Sequence, residues 1–427
     1  MRDERPALLV ISPDVGVDTL GGERIRKLTS AFDEEGWRLI GIAPPARDYL
    51  CSHAPWPDSL VVHHTLDLNP WTLGVHLKRH GGNSAAQPVA TPHGAGPHNA
   101  RAGGFEATAK AVLHRLWPYP WTGWVPFAVA RGVSVVRRDR PAALLSSFPP
   151  TASHVAALAV HRLTGVPWVA DFRDPWSWGT RHGYIWARRR RAAVRTEAEV
   201  LRTANALTTI GPALGAELAE RASRNVVVLP HGVPVERPLV KPPAPFQRLE
   251  LVHAGTVDAW SADVTPVVRA VLRLADAGTP ARLTLVGQVD HRTPDIELAE
   301  RLGLVRSVGR VSREEAQRLT AAADIAVLVQ KRPSRIWVTT KLWDYLASRT
   351  AILVAADPEC DAAGIVRETR AGWTVPYDEE AILGVLTDAS AQRRRGESLW
   401  QADESKLVRY DAVAVSRRFV EMLRAQR

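Results

Sequence analysis

The chain alternates short apolar runs with segments of helical period, and it does so twice, on either side of one proline-rich break. ALLVIS (7–12) and RLIGIAPP (38–45) read as strands, and ERIRKLTSAFDEEG (23–36) between them reads as a helix stopped by Gly36. AALLSSFPP (142–150) and VPWVADF (166–172) flank a helix through SHVAALAVHRLTG (153–165). A long basic helix, the strand NALTTIGP (205–212), another helix and NVVVLPHGV (225–233) follow. Alternation of this kind predicts parallel sheets with crossover helices. The stretch 236–248, ending KPPAPFQR, lacks periodicity and reads as a linker. Beyond it LELVHAGTV (249–257), ARLTLVG, LVRSVGRV, DIAVLVQ, TAILVAA and GWTVPY supply a second set of strands. In DVTPVVRAVLRLADAG (263–278), Thr265 is the expected helix cap and Pro266 occupies the first turn. The chain's 427 residues exceed one ordinary core. The expected organisation is α/β, with two doubly wound domains, 1–235 and 249–410, and a last helix at 411–427. Residues 77–108, rich in Gly, Ala, Pro and His without a period, read as a mobile loop.

Composition narrows the function classes. The two cysteines, Cys51 and Cys360, make neither a disulfide framework nor a zinc cluster and suit a reducing cytoplasm. The start, MRDERPALLVIS, lacks a secretory signal, and no uncharged apolar run reaches the roughly eighteen residues of a membrane span. The net charge of +10 points to anionic partners: nucleic acid, an anionic membrane or phosphorylated substrates. No recognised RNA or DNA module is present, which argues against nucleic acid. His76 and His80 have i, i+4 spacing but no acid partner, so no metal set is expected.

Ligands of open parallel sheets bind beyond the carboxyl ends of the strands, so the loops there carry the candidates. In SPDVGVDTLGGERIRKL (12–28), Gly21 and Gly22 open a helix and would let backbone amides approach an anion or sugar. The pattern is neither G-x-G-x-x-G nor a Walker loop, and a plain flexible turn is the alternative. In VADFRDPWSWG (169–179), Asp171, Arg173 and Asp174 follow a strand directly. They could serve a site or form a structural ion pair, and D-x-x-D with an arginine inside does not suit a metal. In QKRPSRIWVTTKLWDYLAS (330–348), Thr339 or Thr340 caps a helix, while Arg332, Arg335 and Lys341 bring charge to its positive end. Asp344, one turn in, could accept hydrogen bonds from a ribose diol. The arginines Arg188 to Arg191 lie near Tyr184 and Trp186, and RLWPYPWTGWVPFAVARG (115–132) carries Trp117, Trp121 and Trp124. Together these read as a membrane-facing surface, or as a solvated helix face with core tryptophans. His231 and His253 each end a strand.

In order and spacing, the Gly-Gly loop, WVADFRDPW, ALTTIGPALGAEL, VVVLPHGV, LVHAGTV, LTLVG, VGRVSREE, TTKLWDYLASRTAILVAA and RETRAGWTV resemble a large family of retaining GT-B glycosyltransferases. That family includes bacterial mannosyl-, glucosyl- and N-acetylhexosaminyl-transferases. The resemblance implies two Rossmann-like domains facing across a cleft, with donor on the C-terminal one, acceptor on the N-terminal one, and the last helix packing back on the first domain. Donor contacts would then fall to His231, Gly255, Thr256, Arg335, Thr340, Lys341, Leu342 and Asp344, the last standing where the family usually has glutamate. Gly21 and Gly22 would approach the donor from the opposite domain, His231 stands where asparagine is commoner, and Asp171, Arg173 and Gly22 are the expected catalytic group. Three departures stand out. Ile336 replaces a glutamate, Asp258 and Asp263 lie where arginine and lysine often do, and Ser348-Arg349 replaces a glycine. The implied activity is transfer of a sugar, with retention and without metal or cofactor, from a nucleotide diphosphate sugar (UDP favoured). The acceptor is undetermined: a glycan, a lipid-linked molecule or a small molecule. The expected location is the cytoplasm, with peripheral membrane contact as an option. A nucleotide-sugar epimerase of the same fold, or a non-catalytic partner with a degenerate donor site, are the rival readings.

Overall fold

The structure is a computed structural model of the chain and describes residues 5–17, 19–45, 56–68, 121–178, 187–233 and 245–426. The 77–108 stretch, most of the linker, Cys51, His76, His80, Trp117, Tyr184 and Trp186 lie outside the described residues. Two compact units emerge: Met1–Ile210 with Leu214–Pro230 and Ser416–Arg427, and Gly211–Ala213 with His231–Val415.

The first unit holds seven parallel strands, β1 (Ala7–Ile11), β2 (Arg38–Ala43), β3 (Val61–His64), β4 (Ala143–Phe148), β5 (Trp168–Phe172), β6 (Ala206–Thr209) and β7 (Val227–Val228). Their order is β3-β2-β1-β4-β5-β6-β7. Every residue of β1, β4 and β5 is buried, the pattern of parallel strands covered on both faces. The covering helices are α1 (Leu20–Leu28), α2 (Val125–Asp139), α3 (Thr151–Thr164), α4 (Ala187–Thr203) and α5 (Pro212–Ala222). Helix α1 is shorter than its sequence pattern: Thr29 turns its hydroxyl onto the Ile25 carbonyl (2.9 Å) and irregular turns lead to Gly36. Trp124, expected as either surface or core, is fully buried and donates its indole N–H to Thr65 (2.8 Å). A membrane role for this tryptophan is therefore excluded.

The core of this unit contains a buried polar chain. Trp168 Nε1 donates to Ser146 Oγ (2.8 Å), which is hydrogen-bonded to His154 Nδ1 (2.7 Å). Burial drives His154 down to about 3, so it is neutral in the fold. The last residues complete this unit. Ser416 bridges the Leu28 carbonyl (2.8 Å) and the Ala31 amide (3.0 Å), and Phe419 stacks on Phe32 at 6.3 Å.

The second unit runs β8 (Leu249–Ala254), α6 (Thr265–Asp276), β9 (Ala281–Val286), α7 (Pro294–Arg301), β10 (Val305–Gly309), α8 (Arg313–Ala322) and β11 (Ile325–Val329). It continues with α9 (Thr340–Ala347), β12 (Ala351–Ala355), α10 (Asp361–Thr369), β13 (Gly372–Val375), α11 (Glu379–Arg394) and α12 (Glu404–Leu407), before the last helix, α13 (Ala412–Arg424). Its strands are parallel in the order β10-β9-β8-β11-β12-β13. Successive residues point to opposite faces: Leu251 and Leu353 join the core under α6 and α11, while Val252 and Ile352 join that under α9 and α10. Thr265 is not the cap of α6. Val264 holds that position, and the Thr265 amide and hydroxyl both turn to Asp263 Oδ1 (3.0 and 2.5 Å). Strand order reverses between β1 and β4 in one unit and between β8 and β11 in the other, where doubly wound sheets open a crevice for ligands.

Candidate nucleotide-binding site

At the reversal in the second unit, β8 ends in His253-Ala254, Gly255 follows it, and α9 begins just beyond the loop that follows β11. Gly255 adopts a φ of +132°, and a Cβ there would overlap the Lys341 ammonium and its Cε. The lysine head thus lies flat against the strand-end backbone, where only glycine leaves room. Behind it sits His253, 1% exposed. Its Nδ1 lies 3.0 Å from the Val327 carbonyl oxygen on β11. A carbonyl can only accept, so Nδ1 carries the proton and Nε2 offers its lone pair to the Lys341 ammonium at 3.4 Å. Burial, then the Lys341 charge, drive His253 down to about 3 and keep it neutral. Tyr345 of α9 accepts the Ala254 amide proton (2.8 Å), locking helix to strand end.

A cavity of about 390 Å³ opens one strand further, beyond β9 and β10, lined by Gly287, Gln288, Arg292, Ser307, Gly309 and Arg310 among others. Gly287 connects it to the lysine: a Cβ on Gly287 would stand 2.5 Å from the Gly255 carbonyl oxygen. The backbones are also tied, Gly255 N to Val286 O (2.6 Å) and Gly287 N to Gly309 O (2.8 Å). One bare backbone ledge therefore runs from the ammonium into a cavity of ligand size.

The other expected residues are divided: some lie on α9 and its preceding loop, others are committed elsewhere. Thr339, rather than Thr340, caps α9, its Oγ1 accepting from the Lys341 amide (3.4 Å) and its carbonyl from the Leu342 amide (3.1 Å). Those two first-turn amides are thus engaged by the cap. Thr340 is half-buried, Leu342 is buried, and Thr256 and Arg335 are exposed. Asp344 is paired with Arg313 at the start of α8 (3.0 Å), a partner the sequence reading missed. Arg332 stacks on exposed Trp260, 2.9 Å from the ring centroid, instead of joining Lys341. Asp258 and Asp263 shape the loop after β8: Asp258 accepts from the amides of Trp260 (2.7 Å) and Ser261 (2.6 Å), and Asp263 from Lys331 (2.8 Å). His231 is buried elsewhere, beside Val233, which bridges to Asp411.

In the first unit the expected catalytic group is occupied by the fold itself. Asp171 is fully buried. Its oxygens accept from Arg24 Nη2 (2.7 Å) and Nε (3.2 Å), Ser147 Oγ (2.8 Å) and Thr208 Oγ1 (2.8 Å). Burial alone would raise this carboxyl, but the Arg24 charge and these donors outweigh it and hold it below the ordinary carboxylate range. Arg24 Nη1 also holds the Pro230 carbonyl (2.8 Å). With every lone pair taken and no exposure, Asp171 positions β4, β5, β6 and α1 and cannot itself touch a substrate. Arg173 donates to the Pro149 carbonyl and lies 3.7 Å from Asp14. A Cβ on Gly21 would overlap the Asp14 carboxylate, and one on Gly22 the Val17 carbonyl. The glycine pair is therefore needed for the chain's own packing around Asp14, which also receives the Thr19 hydroxyl (2.8 Å).

No family model matches the sequence, and no curated protein matches it. Solved structures do match. Sucrose-phosphate synthase from Thermosynechococcus elongatus superposes with a TM-score of 0.64 at 15% identity, covering 99% of both chains. A glycosyltransferase from Rickettsia africae gives 0.60 at 11%, again over 99% of both. The Anabaena protein HepE, in complex with UDP-glucose, gives 0.56 at 12%, over 98% of this chain and 99% of that one. The chain has the GT-B fold. Its two Rossmann-like units account for the paired strand orders, and at these identities the likeness speaks for fold alone. Among the described residues of this GT-B chain no helix is long and apolar enough to cross a membrane. No cluster of three or more His, Cys, Asp or Glu with metal-ligand potential occurs among them either.

Proposed function

We propose that the chain is a glycosyltransferase that moves a sugar from a nucleotide diphosphate sugar, UDP favoured, to a hydroxyl-bearing acceptor, with retention and without metal. The observation that carries this reading is the Lys341 ammonium laid on the Gly255 backbone at the strand-order reversal, continuous with the 390 Å³ cavity. A diphosphate over Lys341 would place the nucleoside in the cavity beside Arg310 and Ser307. A fixed cation there stabilises charge as it develops on the leaving diphosphate, without reorganisation at the moment of reaction. The UDP preference is supported by the UDP-glucose held by HepE.

The acceptor is a glycan, a lipid-linked molecule or a small molecule, and the enzyme works in the cytoplasm. The exposed Arg190, Arg191 and Arg195 of α4 would allow contact with an anionic membrane. The test is calorimetric titration with UDP, GDP and ADP, followed by donor turnover over an acceptor panel. UDP binding weakened about tenfold or more in Lys341→Ala supports the reading, and UDP affinity unchanged by that substitution overturns the site. Donor-only incubations that return an epimerised nucleotide sugar would assign an epimerase instead. Binding without turnover on any acceptor would favour a non-catalytic partner.

A further inference from the structure

We infer that His253 is a positioning residue that sets the place of the Lys341 ammonium on the ledge without neutralising it. The inference rests on the proposed diphosphate role of Lys341. Three observations carry it. First, His253 spans the strand-order reversal: it belongs to β8 and its Nδ1–H is fixed to the Val327 carbonyl of β11 at 3.0 Å. Ring orientation is therefore set by the two strands between which the crevice opens. Second, that orientation aims Nε2 at Lys341 Nζ, 3.4 Å away. Third, Gly255 leaves the space in which the ammonium comes to rest.

The choice of histidine has a chemical logic. A lysine side chain has four rotatable carbons and loses much rotamer freedom when held. A carboxylate could hold it, but would cancel the charge that a diphosphate needs. A neutral imidazole offers one lone pair in a rigid ring and holds the head without itself adding a counter-charge. Burial keeps His253 in that neutral form across ordinary pH. The lysine is thus pre-positioned before an anion arrives, which reduces the entropy lost on binding.

Two substitutions separate this from a packing role. His253→Asn keeps a donor near Nδ1 for the Val327 carbonyl but cannot reach Lys341. His253→Gln can place an amide oxygen near the position of Nε2. UDP binding is measured by calorimetry on the full chain, in the wild-type and Lys341→Met backgrounds, with melting temperatures recorded alongside. His253→Asn is expected to weaken UDP about tenfold, His253→Gln to stay within about threefold of wild type, and His253→Asn to add nothing once Lys341 is Met.

If His253→Asn weakens UDP equally in both backgrounds, the histidine acts through packing alone and the inference falls. If His253→Asn leaves binding unchanged while Lys341→Met abolishes it, the inference falls and the site stands. If Lys341→Met itself changes nothing, the diphosphate site is refuted and the inference goes with it.

Discussion

The two sheets share one strand order yet use charge differently where that order reverses. In the first unit the charges are turned inward. Arg24 and Asp171 face each other with no exposure, and Asp14, Thr19 and Arg173 interlock around Gly21. In the second unit a lysine head is laid on bare backbone and held by a neutral ring. One reversal spends its ionic chemistry on joining strands to a helix, and the other lays a lysine head against the strand-end backbone beside a neutral histidine. The same topology can therefore place an ion pair inside or a cation at the strand end, and the surrounding side chains decide which; on the proposed function the second is the binding ledge.

The largest expected effect breaks the first of these arrangements. Arg24→Met leaves Asp171 charged and buried without its partner, and should cost about 3–5 kcal/mol in urea unfolding at pH 7. Because the folded carboxyl of Asp171 is depressed, its contribution is present above the unfolded value and lost as pH falls through the folded one. The gap between wild type and Arg24→Met should accordingly narrow on acidification below about pH 4. A gap that does not change with pH would show that the pair's charge is irrelevant to stability.

Next comes a test that touches both units alike. His154 in the first and His253 in the second are buried and neutral, each at about 3, so the unfolded chain binds more protons than the folded one between that value and about 6.5. Stability should therefore fall as pH drops from 7 to 5, by about 2 kcal/mol for each histidine at the lower pH. His154→Phe should remove part of that slope, and an unaltered slope would contradict the burial argument.

Smaller effects belong to the ledge. Lys341→Ala should weaken UDP binding by about tenfold to a hundredfold with little change in melting temperature, the worth of a hydrogen bond to a charged group. Gly255→Ala should weaken UDP comparably by displacing the ammonium. The smallest effect is expected from Asp344→Ala. Its pairing with Arg313 is partly exposed and contributes about 0–1 kcal/mol, so stability should barely move and UDP should weaken less than about fivefold. An Asp344→Ala loss as large as that of Lys341→Ala would move the centre of the site from the strand end to the helix.

Much of the architecture was legible because parallel strands buried on both faces write themselves as continuous apolar runs, as in ALLVI and IAVLV. Strand β3 was not, since VVHH is four residues long and partly exposed at a sheet edge. The site was legible only in part. Lys341 stood out as a cation before a capped helix, but His253 was one histidine among 14. Asp171 invited a catalytic reading because its saturating partner, Arg24, lies 147 residues away in sequence. No local pattern records such a pairing. Gly21 and Gly22 carried a real steric signal whose cause, the Asp14 carboxylate and the Val17 carbonyl, appears only in three dimensions.

The Gly255–Gly287 contact also bears on how such a protein can diversify. With the Gly255 oxygen only 2.5 Å from where a methyl on Gly287 would sit, Gly287 cannot take a side chain unless the Gly255 backbone moves. On the proposed function, ligand preference would then be set at the rim, through Gln288, Arg292 and Arg310. Libraries that randomise those three side chains should yield folded proteins with altered nucleotide selectivity, whereas a library at Gly287 should yield mostly misfolded clones.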